Sequence, residues 1–235
     1  MRAIVVIPTY NEQDNLEELI NRIFELVPGL HVLVVDDNSP DGTGKLANEF
    51  SRKNPDKFFV IHRAKKEGLR WAYLEGFRYV LQKGYEVIVQ MDADLSHDPV
   101  VLPVFIEQIR SNDLVVGSRY LDGGKVVNWS RSRLLISRLG TRYVRFMTGI
   151  PFTDVTSGFK CWKQGALRAI CAKELFSNGY LFQIEMLYKA YRMGCKIQEV
   201  PIVFYERKKG YSKFNLKIIQ EALWGVFKLR SIGSR

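Results

Sequence analysis

Asp92 and Asp94 flank Ala93 at the end of an uncharged run, Val87-Ile88-Val89-Gln90-Met91. Side chains alternate along a strand, so both carboxylates fall on one side if the extended geometry continues to Asp94. Two carboxylates that close repel unless a proton or a cation joins them. A hard divalent ion such as Mg²⁺ or Mn²⁺, held by one or two carboxylates plus substrate phosphates, resolves the conflict. Service as turn residues that cap the following segment is the other reading open to them. A second acidic pair opens the turn Asp36-Asp37-Asn38-Ser39-Pro40-Asp41-Gly42 after another apolar run. A carboxylate there can accept from a base N–H or a ribose hydroxyl, while Asp41 and Ser39 can cap the next helix. His97, beside Asp98-Pro99, reads as support rather than as a catalyst.

These residues need elements to hold them. Arg2 to Ile7 is a short β-branched run closed by Pro8, a buried strand. Asn11 is placed to cap a helix over Gln13 to Val27, in which Leu16, Leu19, Ile20, Ile23 and Phe24 keep helical spacing. A strand at Val32 to Val35, a helix at Thr43 to Lys53 and a strand at Phe58 to Ile61 follow. Then come a helix over Arg70 to Gln82, the strand Val87 to Met91, a helix over Val100 to Ser111 and a strand at Leu114 to Val116. Strands alternating with helices predict a three-layer α/β fold with a mostly parallel sheet. Ligands of such sheets bind beyond the carboxyl ends of the strands. Each polar cluster falls there: Pro8-Thr9-Tyr10-Asn11-Glu12, Asp36-Asp37 and Asp92-Ala93-Asp94. No P-loop and no G-x-G-x-x-G follows the first strand, which speaks against Walker-type hydrolysis and a Rossmann dinucleotide site.

At 235 residues, 46% hydrophobic and 26% charged, the chain is an ordinary globular one rather than a disordered or fibrous one. No stretch approaches the ~18 consecutive apolar residues of a membrane-spanning helix, and the N-terminus lacks a secretory cleavage pattern. Cys161, Cys171 and Cys195 have no C-x-x-C spacing and read as reduced core residues. The net charge of +10 attracts polyanions. Arg131 to Thr148 interleaves five arginines with apolar residues, and Phe214 to Arg230 does the same with lysines. Both read as basic amphipathic helices that either lie in a headgroup interface or cover the domain's own core.

Taken together, Ile7-Pro8-Thr9-Tyr10-Asn11-Glu12, Val35-Asp36-Asp37-Asn38-Ser39-Pro40-Asp41-Gly42-Thr43 and Met91-Asp92-Ala93-Asp94-Leu95-Ser96-His97 resemble glycosyltransferase family 2, and within it the dolichyl-phosphate mannosyltransferases that lack transmembrane helices. The likeness continues through Gly117-Ser118-Arg119-Tyr120, Ser157-Gly158-Phe159, Gly179 to Met186, Glu199-Val200-Pro201-Ile202 and Arg207 to Lys213. It implies a GT-A fold over residues 1–212, with 213–235 a basic amphipathic helix at the membrane interface. It also implies inverting transfer of mannose from GDP-mannose to dolichyl or another polyprenyl phosphate. By position, Pro8, Tyr10, Glu12, Val35, Asp36, Asp37, Asp92, Ala93, Arg119 and Arg207 would contact the nucleotide sugar. Asp92 and Asp94 would hold Mg²⁺ or Mn²⁺, with Ser96, where many relatives carry Gln, the third candidate ligand. Arg70 likewise stands where others have Gly. Arg133, Arg207 and Lys213 would hold the acceptor phosphate, and Asp94, Arg119, Arg133 and Lys213 would carry the catalysis.

That chemistry suits these residue types. A phosphate monoester is mostly dianionic at neutral pH, with a second pKa near ~6, so an acceptor of that kind needs cations rather than a general base. A polyprenyl tail keeps its phosphate at the bilayer, which predicts a peripheral enzyme on the cytoplasmic face of a membrane, endoplasmic reticulum in a eukaryote or plasma membrane in a prokaryote. A basic helix or a small hydrophobic membrane subunit would hold it there. A glucosyltransferase using UDP-glucose is the alternative donor reading. A nucleic-acid-binding module is disfavoured, because acidic clusters line the ligand edge.

Overall fold

The computed structural model describes residues 1–206 and 224–231. Nine strands and seven α-helices lie within residues 1–206: β1 (Ala3–Thr9), α1 (Gln13–Leu26), β2 (His31–Asp36), α2 (Thr43–Lys53), β3 (Phe58–His62), α3 (Leu69–Gln82), β4 (Val87–Gln90), α4 (Leu102–Gln108), β5 (Leu114–Ser118), β6 (Lys125–Val127), α5 (Arg131–Thr148), β7 (Lys160–Lys163), α6 (Gln164–Cys171), α7 (Gly179–Arg192), β8 (Ile197–Pro201) and β9 (Val203–Tyr205). Seven strands form one sheet in the order β3-β2-β1-β4-β7-β5-β8, and β6 pairs with β9 in a second, two-stranded one. All pairs in the large sheet are parallel except those of β7, which runs antiparallel to both β4 and β5. The mostly parallel three-layer sheet expected from the sequence is therefore present, with one reversed strand in its middle.

Alternation along the strands builds two cores. Ile4, Val6, Leu33, Val35, Ile88 and Trp162 enter the cluster beneath α3, α6 and α7, whereas Val5, Ile7, Val32, Val34, Val89 and Cys161 enter the one beneath α1 and α4. Full burial of such a side chain is worth roughly 1.5–3 kcal/mol, so each strand is fixed in register from both faces. Gly76 lets α3 lie close on the sheet: a Cβ there would come within 2.6 Å of Val6 Cγ1.

Two local expectations need correction. Asn11 does not cap α1; it sits in the left-handed region at φ 58°, and the first helical N–H, that of Gln13, donates instead to Asp41 Oδ2 of the next loop at 3.1 Å. The helix expected over Val100 to Ser111 is shorter, a 3₁₀ turn at Pro99–Val101 leading into α4, because Pro99 and Pro103 lack the N–H groups of a continuous helix. Of the helix expected over Phe214 to Arg230, residues 224–231 are helical and pack Val226 and Leu229 into the first core; 214–223 lie outside the described residues.

Candidate active site

In this sheet the chain runs outward from β1 to β2 and β3, then returns to place β4 on the other side of β1. Such a reversal opens a crevice at the carboxyl ends of the strands. The loops after β1, β2 and β4 all end there, which brings the three polar clusters together.

The loop after β2 is self-organised. Asp36 is buried and accepts from Thr9 Oγ1 at 3.0 Å, Ser39 N at 3.1 Å and Ser39 Oγ at 2.5 Å. Its carboxylate shapes the loop and faces inward. Asp41 accepts from Thr43 N and Oγ1, so it serves the start of α2 as expected, whereas Ser39 does not: its hydroxyl donates to Asp36 and accepts from the Asn11 N–H. Asp37 is paired with Arg63, whose guanidinium also reaches Glu67 and Glu75. Pro8 and Val35 face each other across β1 and β2. Tyr10 carries the Lys66 ammonium 3.5 Å from its ring centre. Glu12 accepts from Asn15 Nδ2 at 2.8 Å, and its N–H donates to Thr43 Oγ1 at 2.9 Å.

The tip of β4 is held from both sides. Tyr73 of α3 donates to Asp92 Oδ1 at 3.2 Å. Burial, and after it the Asp92 charge, push the Tyr73 hydroxyl well above its ordinary range, so it stays a donor. The Asp92 N–H donates to His97 Nδ1 at 3.2 Å, which fixes the neutral imidazole with its proton on Nε2. Burial lowers the His97 pKa below its usual value. His97 stacks on Phe159 with ring centres 4.9 Å apart, the supporting role expected of it. Ala93 is buried. Leu95 sits at φ 60°, a conformation that costs a non-glycine residue of order 1 kcal/mol or more. That turn brings Ser96 back onto Asp94, whose Oδ1 accepts from Ser96 N at 3.1 Å and Oγ at 2.5 Å.

Two carboxylates and a hydroxyl at one strand end are hard oxygen donors, as Mg²⁺ and Mn²⁺ require. An ion held by so few protein ligands would take its remaining ligands from substrate and water, as Mg²⁺ usually does. Among the described residues there is no cluster of three or more His, Cys, Asp or Glu that would form a closed metal cage. The residues fit a hard divalent ion that completes its shell with other oxygen ligands.

The basic side adjoins this tip through Phe204, whose ring centre lies 5.5 Å from that of His97 and 5.2 Å from the Arg119 guanidinium. Arg119 follows β5 and grips Asp154 through Nε at 2.6 Å and Nη2 at 2.7 Å. Burial is the largest influence and would raise the Asp154 carboxyl, but the Arg119 charge together with hydrogen bonds from Arg119 and Thr156 holds the pKa below the ordinary range. Glu199 of β8 fixes that loop by accepting from the Asp154 N–H at 3.0 Å. Arg133, in the first turn of α5, lies 4.0 Å from the centre of the Trp129 ring and donates to Glu206 at 2.8 Å. The Arg119 guanidinium lies 5.5 Å from the same indole. Arg207 and Lys213 lie outside the described residues.

Sequence reasoning missed Arg63, Tyr73, Trp129, Asp154, Lys160 and Gln183. Lys160 is fully buried on β7, and burial pushes its ammonium down to about 7. It donates to the Ser157 carbonyl and to Gln183 Oε1. Gly158 and Gln183 belong to motifs visible in the sequence, but nothing in their spacing reveals a role.

Comparison with known proteins agrees with this geometry. The family described as glycosyl transferase family 2 matches residues 4–171. The chain is 46% identical over 231 residues to an undecaprenyl-phosphate mannosyltransferase of Micrococcus luteus, covering 96% of this chain and 95% of that protein. It is 43% identical to a polyprenol monophosphomannose synthase of Mycolicibacterium smegmatis, covering 96% and 87%. Among solved structures, a mannosyltransferase of Pyrobaculum calidifontis in complex with GDP-Man and Mn²⁺ aligns with TM-score 0.62 at 19% identity over 99% of this chain and 73% of the other. Glucosyl-3-phosphoglycerate synthase from Mycobacterium tuberculosis, with Mn²⁺, UDP-glucose and phosphoglyceric acid, aligns with TM-score 0.70 at 19% identity over 98% and 80%. These likenesses establish the GT-A type of fold. An acidic strand tip beside an arginine cluster, on a sheet of that type, in a chain matched by that family across most of its length, makes this protein a glycosyltransferase of family 2.

Proposed function

We propose that the protein transfers mannose from GDP-mannose to a polyprenyl phosphate of the dolichyl or undecaprenyl kind, with inversion, at a membrane surface. The observation that carries this reading is 46% and 43% identity, over 96% of the chain, to enzymes named for mannosyl transfer to such lipids. Asp92 and Asp94, with Ser96 beside them, would hold Mg²⁺ or Mn²⁺, which neutralises the charge left on the departing GDP. The loops after β1 and β2 would take the nucleoside, through Pro8, Tyr10, Glu12 and Asp37. One acceptor phosphate oxygen forms its bond to the anomeric carbon as the bond to GDP breaks, on the opposite face of the sugar. The nucleophile is already charged, so no proton has to move, and the neutral His97 is free of catalytic duty. Arg119 and Arg133, joined by Arg207 and Lys213, would hold that phosphate in line.

The membrane contact is assigned to the outer face of α5. Leu135, Leu139, Arg142 and Phe146 follow one another at intervals of four, three and four residues, which is one helical stripe. Leu135, Leu139 and Phe146 are exposed, Phe146 by 82%. Trp224 and Phe227 are exposed as well. No helix among the described residues is long and apolar enough to cross a membrane, so attachment to the cytoplasmic face would be peripheral, through these surfaces or through a small hydrophobic membrane subunit.

The test is an extraction assay. Labelled GDP-mannose, a polyprenyl phosphate and Mg²⁺ or Mn²⁺ should yield butanol-soluble mannose with the purified protein, and EDTA or Asp94→Ala should abolish it. Product from UDP-glucose alone would overturn the donor assignment, and undiminished product in EDTA would remove the metal.

A further inference from the structure

Behind Asp92 a buried polar chain crosses the sheet, and the chemistry above makes no use of it. Gln90 on β4, Lys160 and Trp162 on β7 and Gln183 on α7 are all buried. Trp162 Nε1 donates to Gln90 Oε1 at 3.3 Å. Gln90 Nε2 and Lys160 Nζ both donate to Gln183 Oε1, each at 2.7 Å. Two donors converging on one oxygen settle the orientation of the Gln183 amide, because the flipped amide would set its NH₂ against both. Nε2 therefore points the other way. It is buried and has no hydrogen-bond partner, in a residue only 3% exposed. Buried donors are rarely left so, and one at a site edge points to a ligand.

What Nε2 faces is a recess over Gly158. A Cβ there would stand 3.6 Å from Gln183 Nε2, 3.3 Å from Asp92 Oδ2 and 3.4 Å from His97 Cε1. Gly158 is not at positive φ, so any residue could adopt its backbone, and what the glycine supplies is space. One wall of the recess donates and the other accepts. A phosphate oxygen would be repelled by Asp92, and a cation would meet the amide N–H. A hydroxyl satisfies both walls, accepting from Nε2 while donating to the carboxylate.

We propose that Gln183 and Gly158 form a recess for one hydroxyl of the donor's hexose, with Gln183 Nε2 as donor and Asp92 Oδ2 as acceptor. Such a contact orients the sugar against the diphosphate held at the same tip, and so rests on the donor reading above. Gln90 and Lys160 act as positioning residues that lock the amide. A bound water has the same donor and acceptor chemistry, so the test must separate the two.

Wild type, Gln183→Leu and Gly158→Ala are compared with GDP-mannose and with its 2-, 3-, 4- and 6-deoxy analogues, and GDP with Mn²⁺ is titrated calorimetrically into each. Both variants should bind GDP like wild type and lose about tenfold or more in kcat/KM with GDP-mannose. For one deoxy analogue that loss should vanish, since its missing hydroxyl leaves Gln183 nothing to hold. Equal losses with every analogue would assign the recess to water, and unchanged kcat/KM would empty it; either result overturns the proposal. Should Gln183→Leu fail to fold, Gln183→Glu keeps the oxygen that Gln90 and Lys160 bind, removes the donor, and should show the same pattern. A wild-type protein that neither binds GDP nor uses GDP-mannose would sink the donor reading itself, whereas an active wild type with indifferent variants sinks only the recess.

Discussion

A lysine whose ammonium is withdrawn from water sits in the middle of the sheet. Burial is the main cause that pushes Lys160 down to about 7; Arg119 acts in the same direction, and the charges of Asp154 and Asp92 oppose it. The folded pKa lies below the usual ~10.4. Between about 7 and about 10.4, then, the unfolded chain binds a proton that the folded chain does not. The unfolded state carries more protons in that window, so the Lys160 contribution to stability rises with pH across it and is smallest below about 7. Lys160→Met removes the titration while keeping an unbranched chain on β7. In metal-free protein, urea unfolding from about pH 6.5 to about pH 10 should show wild type gaining on the variant as pH rises, by an amount on the order of a few kcal/mol. Parallel profiles for the two proteins would mean that the ammonium is not desolvated as the fold implies. The described arginines present a related economy: Arg119 arrives paired with Asp154 and Arg133 with Glu206, so neither offers a bare charge.

Helix α5 separates its two faces by function. Ser130 opens it by accepting from the Arg133 N–H, and Gly149 closes it in the left-handed conformation, the start and stop signals that glycine and serine usually provide. Thr141 and Val144 are buried, whereas Leu135, Ile136, Leu139 and Phe146 face solvent, so the helix covers the core with a minority of its apolar residues. Replacing Leu135, Leu139 and Phe146 together by Gln should weaken binding to phosphatidylglycerol vesicles in a sedimentation assay. Stability should change by no more than about 0.5 kcal/mol per site, as for other surface positions. Undiminished sedimentation would move the contact to another face. This helix was legible because its interleaved arginines and apolar residues are a local signal. Strands β1, β2 and β4 were legible for the same reason, each a run of β-branched residues closed by a turn. β7 was not: Lys160-Cys161-Trp162-Lys163 is four residues with a charge at each end, and only the neighbours β4 and β5 turn it into a strand. Its reversed direction, antiparallel to both β4 and β5, is encoded in no periodicity.

At the scale of the molecule, the placement of the site followed from topology, since polar clusters at the ends of β1, β2 and β4 must meet where the strand order reverses. What topology could not supply were partners distant in sequence: Arg63 for Asp37, Asp154 for Arg119, Gln183 beside Asp92. Charge is the remaining global property. A net +10 acts on an anionic bilayer over roughly a Debye length, about 10 Å at 0.1 M salt and about 3 Å at 1 M, with each basic residue near the surface contributing about 1 kcal/mol. The apolar stripe of α5 is insensitive to that screening. The two contributions can therefore be separated by titrating salt against vesicles of fixed size. Binding to anionic vesicles should fall steeply between about 0.05 M and about 0.5 M salt and level off at a residue that zwitterionic vesicles reproduce without any salt dependence. GDP affinity, set inside the crevice, should move far less over the same range. Equal binding to both lipid types at low salt would show that the charge of the chain plays no part in bringing it to the membrane, and would leave the apolar stripe, or a partner subunit, to do so alone.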